Sequence, residues 1–208
     1  MTRTSPALLL ALCIAAALPI GCRSSSPSPY VNQPSIRRDT DRAQKLAAEA
    51  VDLMEKDPQR AEKLLRDALA ADLYHGPSHN NLGVLLLERG DLYEAANEFE
   101  WARRLMPGHP DPRMNLALTL EKAGRVDEAL AQYRRALEVH PGHRPTVQAL
   151  TRLEVRARRV SDETLQRLAT LSLEGEDEAW RRWARGVLIN LNTNHDSGAG
   201  PLPIDSDR

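Results

Sequence analysis

Cysteine is nearly missing: the 208-residue chain has two, Cys13 and Cys22, both close to its start. The rest of the chain therefore has no material for a disulfide or a thiolate metal site. Aromatic residues make up only 4%, too few for sheets rich in aromatic strands, while Ala, Leu, Glu and Arg are plentiful and favour helices. Neither sign of charge is in excess, with 28 Lys and Arg against 29 Asp and Glu. That balance removes the electrostatic reason to expect a nucleic-acid partner. The motifs of enzymes are missing as well: there is no Gly-x-Ser-x-Gly, no phosphate-cradling glycine loop and no HExxH helix. The expectation is a non-enzyme with no cofactor, no metal and no small-molecule substrate.

The longest apolar run, Ala7 to Ile20, has fourteen residues, short of the roughly 18 to 20 that a membrane-spanning helix needs. Preceded by Arg3 and ending near small residues, it reads as the core of a signal peptide over residues 1–21. The following Leu18-Pro19-Ile20-Gly21-Cys22 resembles the lipobox of bacterial lipoproteins. That resemblance implies lipidation of Cys22 as the first mature residue, anchorage in the cell envelope, and, with Arg23 after the cysteine, the periplasmic side of the outer membrane. An ordinary signal peptide that leaves Cys22 as a free thiol is the alternative. Residues 22–40 then form a Ser/Pro-rich tether with too little apolar surface to fold.

An internal repeat follows. Gly90, Ala95, Phe99, Ala102 and Pro107 return as Gly124, Ala129, Tyr133, Ala136 and Pro141, all at the one interval that separates Gly90 from Gly124. Each unit holds two amphipathic stretches around a glycine turn, the pattern of an antiparallel helix pair. With Leu82, Gly83 and Leu86 in one first helix and Leu116, Ala117 and Leu120 in the next, the pattern resembles the tetratricopeptide repeat (TPR). His79 and Arg113 stand where that family has a leading aromatic residue. A degenerate first unit carries Leu46, Ala50 and Leu53, then Ala61, Leu65 and Ala68, with a shortened turn at Lys56-Asp57-Pro58. The resemblance implies an all-α TPR-type solenoid of helical hairpins. It has about three repeats over 41–143 (about 42–74, 76–109 and 110–143), with Leu82, Gly83, Ala95, Phe99, Ala102, Pro107, Ala117, Ala129, Tyr133, Ala136 and Pro141 packing the repeats.

Beyond His143 the period fails. Residues 144–190 read as capping and C-terminal helices, one opening at Ser161 as N-cap with Thr164 in its first turn, and a last one from about Glu176 to Asn190. Trp180 and Trp183 lie on one side of that last helix. Residues 191–208 read as a disordered tail. His75, His109 and His143 share the repeat spacing, but each falls at a turn between repeats, where equivalent positions should lie too far apart to share one ion. His140 and His143 straddle Pro141-Gly142, and no cysteine lies near them.

In the TPR family the first helices of successive pairs line a concave groove. That placement implies Ala47, Val51, Met54, Asn80, Val84, Leu87, Met114, Leu118 and Glu121 as groove residues. The set is mostly apolar, and soluble proteins seldom leave such a face uncovered. One reading is an envelope adaptor or scaffold that holds a peptide or helix of another envelope protein there. The other is a structural envelope lipoprotein whose own C-terminal helices fill the groove through Trp180 and Trp183, or an accessory subunit of an envelope enzyme complex.

Overall fold

The computed structural model describes residues 38–175 and 177–197, within a compact unit spanning Arg37–Arg208. The expected signal peptide, Cys22 and nearly all of the tether lie outside the described residues, as does the end of the chain. Within them are nine α-helices and no strand: α1 Thr40–Leu53, α2 Pro58–Ala71, α3 Gly76–Arg89, α4 Leu92–Leu105, α5 Asp111–Lys122, α6 Val126–Val139, α7 Arg144–Arg156, α8 Asp162–Glu174 and α9 Glu178–Ser197. No helix among the described residues is long and apolar enough to cross a membrane.

Local chemistry places the helix ends. Asp39 and Asp57 accept from the backbone N–H of Arg42 and Arg60 and so cap α1 and α2. Ser161 and Thr164 form the reciprocal capping box that opens α8, as expected from sequence. Pro107 and Pro141, expected to pack the repeats, instead stand exposed just after α4 and α6. Their role is to stop helices, since proline lacks the N–H a further turn would need. The last helix runs past the expected Asn190 to Ser197, so the first part of the expected tail is helical.

Pairs α1/α2, α3/α4 and α5/α6 each pack as antiparallel hairpins, and each second helix also packs on the first helix of the next pair. The first helices meet along one side, α1 with α3 and α3 with α5. The main core is made where pairs interlock, by Ala50, Ala61, Leu65, Leu82, Leu86, Phe99, Leu116, Leu130, Tyr133, Leu150 and their neighbours. Leu82, Gly83, Ala95, Phe99, Ala102, Ala117, Ala129, Tyr133 and Ala136 are all buried. The small residues let backbones approach. A methyl group built on Gly83 would stand 2.7 Å from the Phe99 ring.

The period does not stop at His143. Gly90 and Gly124 end α3 and α5 with φ of +92° and +75°, and Arg158, one further repeat interval along, ends α7 with φ of +56°. The backbone bonds repeat with it. Gly90 N–H donates to Leu87 O and Asp91 N–H to Leu86 O; Gly124 and Arg125 donate to Glu121 and Leu120; Arg158 and Arg159 donate to Val155 and Glu154. This left-handed helix stop satisfies the last carbonyls of each first helix. Thus α7 ends as the earlier first helices do, with Leu150 buried in the place of Leu82 and Leu116, while α8 packs chiefly on α9.

The repeat fades in sequence here because its contents change. Thr151 and Glu154 replace Gly83/Ala117 and Leu86/Leu120, and Arg167 stands at the repeat position of Tyr133. The buried Glu154 carboxylate accepts from Arg134 at 2.9 Å, from the Thr164 hydroxyl at 2.8 Å, and from Arg167. The α8 helix is also shifted by one residue, so Leu168 and Leu171 are buried rather than the direct equivalents of Tyr133 and Ala136. A second, separate core of Val155, Leu168, Leu171 and Ala184 joins α8 and α9 to the end of α7, with Trp183, Val187 and Leu188 packed against it.

Candidate protein-interaction face

The side on which α1, α3 and α5 meet carries the nine groove positions expected from the repeat. Ala47 and Leu87 form its buried floor. Met54, Asn80, Val84, Met114, Leu118 and Glu121 are half-buried, and Val51 is 52% exposed. Their placement follows from helical spacing, because Val51, Val84 and Leu118 occupy one repeat position in successive first helices. Asn115, next to Met114, donates to Asn80 Oδ1 at 3.1 Å and so ties α5 to α3 across this face. Sequence reasoning left Asn115 out, although Asn81 and Asn115 share the repeat spacing.

At the α7 end the face changes character. Glu121, expected as a groove contact, is not free: its carboxylate accepts from Tyr133 Oη at 3.0 Å and from Arg156 at 2.6 Å. Burial, with the Glu121 charge beside it, pushes the Tyr133 phenol far above its ordinary value, so it stays a hydrogen-bond donor. The Arg152 guanidinium lies 6.0 Å from the centre of the Trp180 ring, which in turn meets Trp183 edge-on at 5.1 Å. Thus α8 and α9 pack on each other and on the end of α7. They leave the α1, α3 and α5 positions to solvent among the described residues, contrary to the reading in which they fill the groove.

The histidines also differ from expectation in one respect. His143 Nε2 lies 3.1 Å from one Asp111 oxygen and His109 Nδ1 lies 3.5 Å from the other. Asp111 opens α5 and projects toward the turn before α7, so two turn histidines share a carboxylate that linear spacing did not associate with them. Among the described residues no group of three such side chains is arranged to hold a metal ion. His75 is internal: Nε2 donates to Gln44 Oε1 at 3.0 Å and Nδ1 accepts from the Ser78 hydroxyl at 2.7 Å. Burial holds its imidazole below the ordinary value, with Asp72 acting against that shift and His79 with it. His79 takes the position of the missing leading aromatic and stacks on Trp101 with centroids 5.6 Å apart. The basic stretch after Arg144 is largely engaged by the protein itself, with Arg156 paired to Glu121 and Arg159 to Asp127.

Comparison with known proteins agrees with this architecture. Residues 86–153 match a tetratricopeptide repeat family model, and residues 55–100 match a second model of the same description. The chain carries tetratricopeptide repeats folded as a helical-hairpin solenoid. The structure of pilF from Pseudomonas aeruginosa has 22% identity and a TM-score of 0.66, over 76% of this chain and 72% of that one. The first TPR of Spaghetti (RPAP3), bound to the HSP90 peptide SRMEEVD, has 16% identity and a TM-score of 0.56, over 59% and 98%. An O-GlcNAc transferase from Thermobaculum terrenum has 21% identity and a TM-score of 0.59, but this chain, aligned over 70% of its own length, covers 26% of the transferase. At these identities the likenesses describe the fold. No curated protein matches the sequence.

Proposed function

We propose that this protein is a non-catalytic adaptor that holds a peptide or helix of another protein on the α1–α3–α5 face, and that Cys22 tethers it to a bacterial envelope membrane. The observation that carries the binding half is the apolar row itself. Val51, Val84, Met114 and Leu118 stay at least partly open to solvent, while the terminal helices that had the best chance of covering them pack elsewhere. Burying such side chains against a partner is worth about 25 cal/mol per Å² of apolar surface, and a peptide laid into a groove recovers it with a small interface. The peptide-bound Spaghetti (RPAP3) domain is a precedent for the fold, not for the ligand. The envelope half rests on the Leu18 to Cys22 motif and the apolar run before it.

Two substitutions test the two halves separately. Leu118→Asp is expected to abolish co-purification of a cross-linked envelope partner while circular dichroism stays unchanged, because the side chain is only half-buried. Cys22→Ala is expected to move the protein from the membrane fraction to the soluble one with partner binding intact. Retention of the partner by Leu118→Asp removes the groove reading, and membrane retention of Cys22→Ala removes the lipid anchor.

A further inference from the structure

The concave face is not uniform along its length. One repeat position runs Val51, Val84, Leu118, Arg152 through α1, α3, α5 and α7, so three aliphatic side chains are followed by a cation. We propose that the face takes an apolar segment of a partner protein in one direction only, with an acidic side chain of that segment paired to Arg152. This rests on the groove reading and names the chemistry of its ligand.

Three observations support the assignment. The carboxylate nearest this end, Glu121, is engaged by Arg156 and the Tyr133 hydroxyl rather than by Arg152. Arg156, which reaches this cluster, lies one helical turn beyond Arg152 on α7, so both side chains leave the helix on the same side. Arg152 itself is exposed, and among the described residues its one ring partner is Trp180, with no carboxylate paired to it. A guanidinium resting on an indole face keeps its edge N–H groups outward, the geometry that engages a carboxylate in a two-point contact. Holding the cation in place on a ring beforehand reduces the ordering cost of that contact. The acid therefore belongs on the α7 side of the apolar side chain seated on Leu118, because Arg152 follows Leu118 in the row.

A displayed library of random dodecapeptides, selected on the full chain, supplies the probes. Enriched peptides, labelled with fluorescein, are then titrated by anisotropy against wild type, Leu118→Asp, Arg152→Gln and Arg152→Lys. The expected result is a set of peptides with apolar residues and an Asp or Glu at one fixed position, always to the same side of them. Arg152→Gln should weaken them about tenfold, with Arg152→Lys between, as for loss of a charge-assisted contact. Changing the peptide's acid to its amide should cost wild type the same factor and cost Arg152→Gln nothing further. This peptide-side change leaves the protein untouched and so is independent of any folding defect. Peptides that need Leu118 but bind Arg152→Gln at full affinity overturn the acidic anchor and leave the groove reading standing. Failure to enrich any peptide, or enrichment only of peptides indifferent to Leu118→Asp, overturns both.

Discussion

Gly83 and Phe99 are complementary shapes at the crossing of α3 and α4. The Phe99 ring is fully buried, and a Cβ on Gly83 would approach three of its atoms at 2.7, 2.8 and 2.9 Å. In the next pair the same crossing holds Ala117 and Tyr133, both fully buried, so a methyl is accommodated there by the packing around it. Gly83→Ala should therefore destabilise the protein by about 1 to 3 kcal/mol through overpacking, despite the roughly 1 kcal/mol that alanine gains over glycine inside a helix. Urea unfolding checks this, and a gain in stability would contradict it. His75 gives a pH dependence of definite sign. Its folded-state value is depressed by burial, so its contribution is fully present above the unfolded value of about 6.5 and is lost as pH falls below it. His75→Gln should flatten the stability profile between about pH 7 and 5. Asp72 acts lower on the scale: Arg38, aided by the Tyr74 N–H and Thr40, holds its carboxyl below the ordinary range. That contribution is present above the unfolded value of about 4 and disappears as pH falls further.

The helix that ends in a left-handed residue is the repeating element here, and the fourth copy lacks the residue best suited to it. Gly90 and Gly124 adopt positive φ without a Cβ, whereas Arg158 adopts +56° with one. The left-handed conformation costs a residue with a side chain about 1 to 2 kcal/mol. The Arg158 side chain is exposed, and its N–H bond to Val155 O at 3.0 Å belongs to the backbone, which any residue there would keep. Arg158→Gly should therefore stabilise the α7–α8 junction by about 1 kcal/mol. A rise in the thermal midpoint, or slower hydrogen exchange of the α8 amides, is the measurement. This element also shows why the sequence repeat faded: once the glycine at the stop, the small residue at Thr151 and the aromatic at Arg167 had all changed, little of the periodic pattern survived to be read.

The described unit holds two hydrophobic cores joined by a polar contact. The first runs from α1 to α7 and the second unites α8, α9 and the end of α7. Between them sits Glu154, with Arg134, Arg167 and Thr164 around it. A buried charge cluster is a weak source of stability compared with the apolar packing it replaces. Repeat arrays transmit stability mainly between neighbours, so α8 and α9 should open before α3 to α6. Native-state hydrogen exchange is expected to show lower opening free energies for α8 and α9 amides than for α3 and α4. A single shared opening energy across the unit would show instead that the polar contact couples the two cores fully.

The helix class and the tetratricopeptide repeats were legible in the linear sequence, because a fixed period forces the same small and large residues to the same contacts. The turn after α5 and the caps of α8 were legible for the same local reason. What neighbours bring together was not. Asp111 beside His143, Arg152 on Trp180, and Glu121 bound to Tyr133 and Arg156 all join residues that are distant along the chain or belong to different helices. The repeated helix stop after α7 required tertiary structure as well, since backbone geometry persisted at Arg158 after side-chain identity had drifted. Periodicity encodes contacts within and between equivalent elements; the character of the open face depends on which side chains the stacking leaves without an internal partner.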